Sequence, residues 1–403
     1  VRPLGGTRLT ALALVAAATL ACQEQLTQPG QCPELCPGGS PDAVEEVLQA
    51  TPSADSAFSG YALRAGTGIL LVASGVPSAA DTNLAIYRFS PRVDTVRFRD
   101  TVRTYTVDSV VLTLNVVGRD TAARAVQLQL YKLPSTLDTA GLTYAGVRGL
   151  LSAAAFIEAP LLPDTLRNGS VQAVIKGADL AKVTLDPSDG GRLTLGVLVT
   201  APTFTGVRLG GLNSDVSPIF STYVTPDAPN PGTTSLRLSS VVEFNTYLRR
   251  NETTPDPAAL AVGGGPAVRS LIRFPWPAKL RDSVSLVRAT LELTPIQPTV
   301  GLKNDAGRLE ARVLLTDFGA KSPTLPTLSI TSAVPPGTDT VVKVEVVRLV
   351  QLWQGTNGRP PALLLDVTPE AASFTEAVFG STRVGTAPRL RITYLNRFPF
   401  ERP

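Results

Sequence analysis

Apolar and polar residues alternate with period two in "SVVLTLNV" (109–116), "AVQLQLYKL" (125–133) and "RLTLGVLV" (192–199), and again in "ATLELTP" (289–295) and "LRITYL" (390–395). Side chains on an extended backbone point alternately to opposite faces, so this is the pattern of half-buried strands, here broken by Gly-, Pro- and Asp-rich turns. Only "DAVEEVLQA" (42–50) and "EVVRLVQLWQG" (345–355) carry apolar residues at helical spacing. The pattern predicts an all-β fold of antiparallel strands.

The blocks recur in order. Phe58 and Tyr61 are answered by Phe244 and Tyr247, "ILLVASG" (69–75) by "AALAVGG" (258–264), and Arg88-Phe89 by Arg273-Phe274. "DSVVLTLNV" (108–116) matches "VRATLELTP" (287–295), and "SPIFSTYV" (217–224) matches "APRLRITYL" (387–395). Self-similarity of this kind marks a duplicated unit. The expectation is two tandem jelly-roll-like β-sandwiches, residues 51–228 and 236–398, joined at 229–235 within the Pro- and Gly-rich "TPDAPNPGTTS" (225–235).

The second copy resembles the DNRLRE-type, carbohydrate-binding-module-like β-sandwich family. The resemblance rests on Ser270–Phe274 ("SLIRF"), Ser285–Leu293 ("SLVRATLEL"), Val347–Gly355 ("VRLVQLWQG") with Trp353, Gly358 followed by Leu363–Leu365, and Ala387–Tyr394 ("APRLRITY"). It covers most of 240–396 and implies a β-sandwich of the sort found in large bacterial surface proteins. Where that family often carries a Trp pair, the first copy has Tyr144.

Ahead of the repeat, residues 1–21 read as a signal peptide: Arg2 and Arg8 precede the apolar "LTALALVAAATLA" (9–21), too short to span a bilayer. Thr19-Leu20-Ala21-Cys22 resembles a lipobox whose Leu stands one position late, so lipidation of Cys22 is expected, with simple secretion as the alternative. Residues 22–50 then read as a tether. Cys32 and Cys36 are spaced Cys-x-x-x-Cys, without a βαβ pattern for a redox site or further ligands for zinc, and are expected to form a disulfide in an oxidising envelope. These readings place the protein in a bacterial cell envelope, its membrane partner reached through the lipid.

The 403 residues contain no histidine, which removes Ser-His-Asp and Cys-His catalysis and most zinc and iron sites. The net charge of +4 is too small and dispersed for a nucleic-acid partner. The expected function is therefore non-enzymatic surface structure or adhesion. The alternatives are polysaccharide capture and, behind it, a lyase or hydrolase using Tyr, Arg or paired acids. Candidate contacts follow the same order: Trp276, between Pro275 and Pro277, and Tyr144 for a glycan; Asp186 and Asp189 in "LDPSDGGRL" (185–193) for Ca²⁺, with a plain hairpin turn as the simpler reading. Trp353 is expected in the core. The Arg/Asp alternation over 91–110 is expected to form an extended hairpin laced by ion pairs.

Overall fold

The computed structural model describes residues 43–51, 56–59, 69–74, 83–183, 191–203, 205–212, 214–228, 235–250, 256, 258–264, 267–302, 307–355 and 358–397. Cys22, Cys32, Cys36, Asp186, Asp189 and residues 229–234 of the expected linker lie outside them. The fold is all-β, built from antiparallel strands whose burial follows the alternation read from sequence. Along Tyr105–Arg119, for instance, Val110, Leu112, Leu114 and Val116 face inward and are buried, while the residues between them are only partly covered.

In the first sandwich one layer contains Ile69–Ser74, Thr205–Gly210, Tyr105–Arg119, Ile219–Pro226 and the first half of Leu236–Arg249, with Gly169–Lys176 also on Tyr105–Arg119. The facing layer runs from the second half of Leu236–Arg249 through Asn83–Phe89, Thr194–Thr200 and Gln127–Leu133 to Phe156–Glu158. Leu236–Arg249 changes layer at a register irregularity between Val242 and Phe244, the usual device for turning a strand round a sandwich corner. Between the layers lie Tyr87, Phe89, Leu112, Leu130, Val197, Phe220 and Tyr247, with the Phe89 and Phe220 rings 5.8 Å apart.

The second sandwich repeats this plan. Its first layer is Val44–Gln49, Arg389–Asn396, Val284–Leu293 and Val342–Glu345. Its second is Thr324–Ala333, Arg308–Leu314, Ala362–Thr368, Ala267–Arg273, Leu260–Gly264 and Glu376–Phe379, with Ser56–Ser59 also paired to Ala267–Arg273. Trp353, Leu291, Leu309, Leu365, Phe379 and Ile392 fill the space between.

The strands do not follow the expected boundaries. Val44–Gln49, inside the stretch read as tether, and Ser56–Ser59, from the first copy, both pair within the second sandwich, with Arg389–Asn396 and Ala267–Arg273. Reciprocally Leu236–Arg249, which opens the second copy, pairs with Ile219–Pro226 and Asn83–Phe89 of the first. Val44–Gln49 and Ser56–Ser59 together thus occupy, on the closing strand and the aligned Arg-Phe strand of the second sandwich, the place that Leu236–Arg249 occupies on those of the first. The two copies have exchanged their first strands.

The helix expected over 42–50 is likewise replaced by a strand. Pairing with Arg389–Asn396 turns Leu48 into the core at the cost of leaving Val47 42% exposed, and sets Glu45 against Arg391 and Glu46 against Lys279 at 2.8 Å. An open strand edge with unpaired N–H and C=O groups outcompetes a nine-residue amphipathic helix here. The helix expected in 345–355 is a short one, Val347–Val350, followed by a 3-10 turn over Gln351–Trp353. Among the described residues no helix is long and apolar enough to cross a membrane.

Candidate functional site

The two aromatic residues singled out for glycan contact occupy different sandwiches. Trp276 is half-buried and makes a T-shaped contact with the core residue Trp353, ring centroids 5.2 Å apart at 87°, so part of its surface is used internally. Trp353 itself is 2% exposed, as expected of a core residue. Tyr144 opens the short helix Tyr144–Arg148, capped by the Thr143 hydroxyl accepting from the Gly146 amide, and packs on a small cluster around Leu84, Ile86 and Leu133. The Arg/Asp-rich stretch forms a small hairpin, Val96–Phe98 with Thr101–Arg103, turned by Arg99 and Asp100 at positive φ and carrying an exposed Arg97–Asp100 contact of 3.6 Å.

On the outer face of the second sandwich's larger layer, opposite the core residues Leu365 and Val367, lies a buried charge group that sequence reading missed. Glu310 and Asp366 are cross-strand neighbours, 6% and 3% exposed. Arg312 approaches Glu310 at 2.8 Å and Asp366 at 3.4 Å, and Arg269 forks onto Glu370 through two 2.6 Å hydrogen bonds. Burial pushes the Asp366 carboxyl up to about 7; Arg312 pulls it down and the neighbouring Glu310 and Glu370 raise it further. Glu310 is held below its ordinary value: burial opposes this, but hydrogen bonds with Ser329, Arg312 and Asp366 prevail. The group can store a proton, yet it is packed away from solvent.

A second charge group borders a solvent-facing cleft. Gly118 and Arg119 end the Tyr105–Arg119 strand, and the pairing register sets them opposite Arg208 and Val207 of Thr205–Gly210. A Cβ at Gly118 would stand 2.7 Å from Arg208 Nη2 and 3.1 Å from its Nε, so the Arg208 guanidinium lies across the bare glycine. Arg119 is 7% exposed; its Nη2 donates to the carbonyls of Asp164 at 3.0 Å and Ala123 at 3.4 Å. Its Nε and Nη1 are buried with no hydrogen-bond partner among the described residues.

These groups line a cleft of about 310 Å³, joined by Thr121, Arg167 and Asn168 from the neighbouring loops. Beside it a cavity of about 10 Å³ runs to Leu302 and Phe374 of the second sandwich. The nearby acids are engaged: Asp164 accepts from the Ala125 amide and lies 3.5 Å from Arg124, and Asp120 accepts from the Ala122 amide at 2.9 Å. The arginines come from positions 119, 167 and 208, and only the strand register brings the first and last together.

Compared with known proteins, the chain matches no family model and no curated protein sequence.

Proposed function

We propose that the chain is a non-enzymatic, lipid-anchored protein of a bacterial cell envelope that presents two β-sandwich modules for surface structure or adhesion. The observation that carries this reading is the reciprocal exchange of opening strands. A chain held at Cys22 and pulled from its body transmits force first to Val44–Gln49, whose six residues pair along their length with Arg389–Asn396. Leu236–Arg249 meanwhile ties the second copy into the first sandwich. Such an arrangement opposes the peeling away of either module alone, which suits display under tension. The lipobox-like Thr19–Cys22, the absence of histidine and the resemblance of 270–394 to modules of bacterial surface proteins support the same reading.

The test is expression in a bacterium with two membranes, comparing the natural chain with Cys22→Ser. The expected result is a diacylglyceryl adduct on Cys22 by mass spectrometry, sedimentation with membranes, and cleavage by protease added to whole cells, with the Ser variant released as soluble protein. Soluble behaviour of both forms overturns the proposal.

A further inference from the structure

We propose that the cleft formed by Arg119, Arg167 and Arg208 binds a tetrahedral oxyanion, a phosphate or sulfate group presented from solvent. The inference goes beyond surface display and stands independently of it. A guanidinium carries five donors and keeps its charge throughout the physiological range, so burying one with donors unmatched is costly. Arg119 is in that position: Nη2 is satisfied by two carbonyls, while Nε and Nη1 have no partner among the described residues. The 10 Å³ cavity beside it has room for about one water, too little to balance the charge.

The wider cleft adds Arg208, laid over Gly118, and the exposed Arg167, with the Asn168 amide and Thr121 hydroxyl as further polar groups. Three cations reach it from two strands and a loop, while Asp120, which lines the small cavity beside it, already accepts from the Ala122 amide through Oδ1. Cations converging from separate elements suit an anion with acceptor oxygens in several directions better than a planar carboxylate.

Titration calorimetry of the full chain with sodium sulfate and inorganic phosphate, against sodium chloride and acetate at equal ionic strength, tests this. Sulfate or phosphate is expected to bind, chloride and acetate at least tenfold more weakly. Arg167→Ala and Arg208→Ala, both at solvent-facing positions, should each weaken sulfate at least tenfold while leaving the circular dichroism unchanged. Gly118→Ala keeps every charge but forces the Arg208 guanidinium aside, and should also weaken it. Sulfate binding no tighter than chloride or acetate overturns the proposal. So does affinity unchanged in the arginine variants, and a Gly118→Ala protein that binds as the natural one does reduces the site to a diffuse positive patch and overturns it equally.

Discussion

Glu310 and Asp366 face each other directly across two neighbouring strands, with the Arg312 guanidinium 2.8 Å from the first and 3.4 Å from the second. Asp366 keeps Oδ1 buried without a hydrogen bond, and burial, opposed by Arg312 and reinforced by Glu310, lifts its carboxyl to about 7. The unfolded chain ionises an Asp near pH 4, roughly, so between there and about 7 the folded state holds a proton that the unfolded state has released. Stability must then fall as pH rises through that window, by on the order of 4 kcal/mol. Glu310, held below its usual value, contributes in the opposite sense, and only on further acidification. Asp366→Asn keeps the neutral shape. It is expected to flatten the dependence between pH 5 and 7, roughly, and to gain about 1–3 kcal/mol at pH 8, by urea unfolding. An unchanged slope in the variant would place the proton elsewhere.

The exchanged strands predict how the chain can be cut. Fragment 43–230 lacks Leu236–Arg249, which carries the buried Val242, Tyr247 and Leu248 and joins both layers of the first sandwich. Fragment 231–397 lacks Val44–Gln49 and Ser56–Ser59. Expressed alone, each should elute as an aggregate or an expanded chain. Co-expressed, the two should co-purify as a 1:1 complex with the β-rich circular dichroism of the intact protein. Two independently folded fragments that ignore each other would show that the exchange is dispensable.

Across the junction, the buried Tyr247 hydroxyl donates to the Ala371 carbonyl at 3.1 Å, Arg249 pairs with Glu376, and Gly206 lies against Leu302 and Phe374. A Cβ on Gly206 would stand 2.6 Å from Leu302 Cδ1 and 2.7 Å from Phe374 Cε2. Gly206→Ala should therefore cost about 1–3 kcal/mol by overpacking. Tyr247→Phe should cost about 1 kcal/mol by leaving a buried carbonyl unpaired. Both are read from thermal or urea unfolding of the full chain. Full retention of stability in both would mean that the sandwiches meet only through the exchanged strands.

How much of this was legible beforehand depended on whether the determining contacts are local. Alternation is local, so Tyr105–Arg119, Thr194–Thr200 and Arg389–Asn396 could be read as strands from their own residues. Partner choice is not. The match of Phe58 with Phe244 falls on two strands that each pair outside their own copy, but nothing in either segment says which sandwich receives it. Nor does the match hold residue for residue: Phe58 pairs with Arg269, whereas Phe244 pairs with Arg88, the counterpart of Arg273. Tyr223 and Tyr394, aligned in sequence, also differ, because Val224 rather than Tyr223 fills the core. Residues 42–50 fit both periods, and the free edge of a distant strand decided between them. The arginine cleft had no linear signature beyond Gly118-Arg119 at a strand end, since Arg208 joins it only through pairing register.

The two sandwiches share one device, and its chemistry yields a last prediction. Asn83–Phe89, Thr194–Thr200 and Gln127–Leu133 lie side by side in the first sandwich as Ala267–Arg273, Ala362–Thr368 and Arg308–Leu314 do in the second. In each, the aligned arginine reaches across to the loop after the third strand. Arg273 grips the Asp317 carboxylate at 2.6 and 2.7 Å, while Arg88 donates to the Leu137 carbonyl at 2.6 Å. Each should be worth about 1 kcal/mol, measured as the loss on substitution by Ala. Their pH behaviour should separate them. The hydrogen bond from Arg273 holds the Asp317 carboxyl below its ordinary value against the opposing effect of burial. That contribution is complete above the ordinary Asp range and disappears as pH falls through the lowered value. A backbone carbonyl does not titrate. The cost of Arg273→Ala should therefore shrink towards zero on strong acidification while that of Arg88→Ala stays constant. Parallel curves for the two variants would mean that Arg273 acts through packing rather than through its carboxylate.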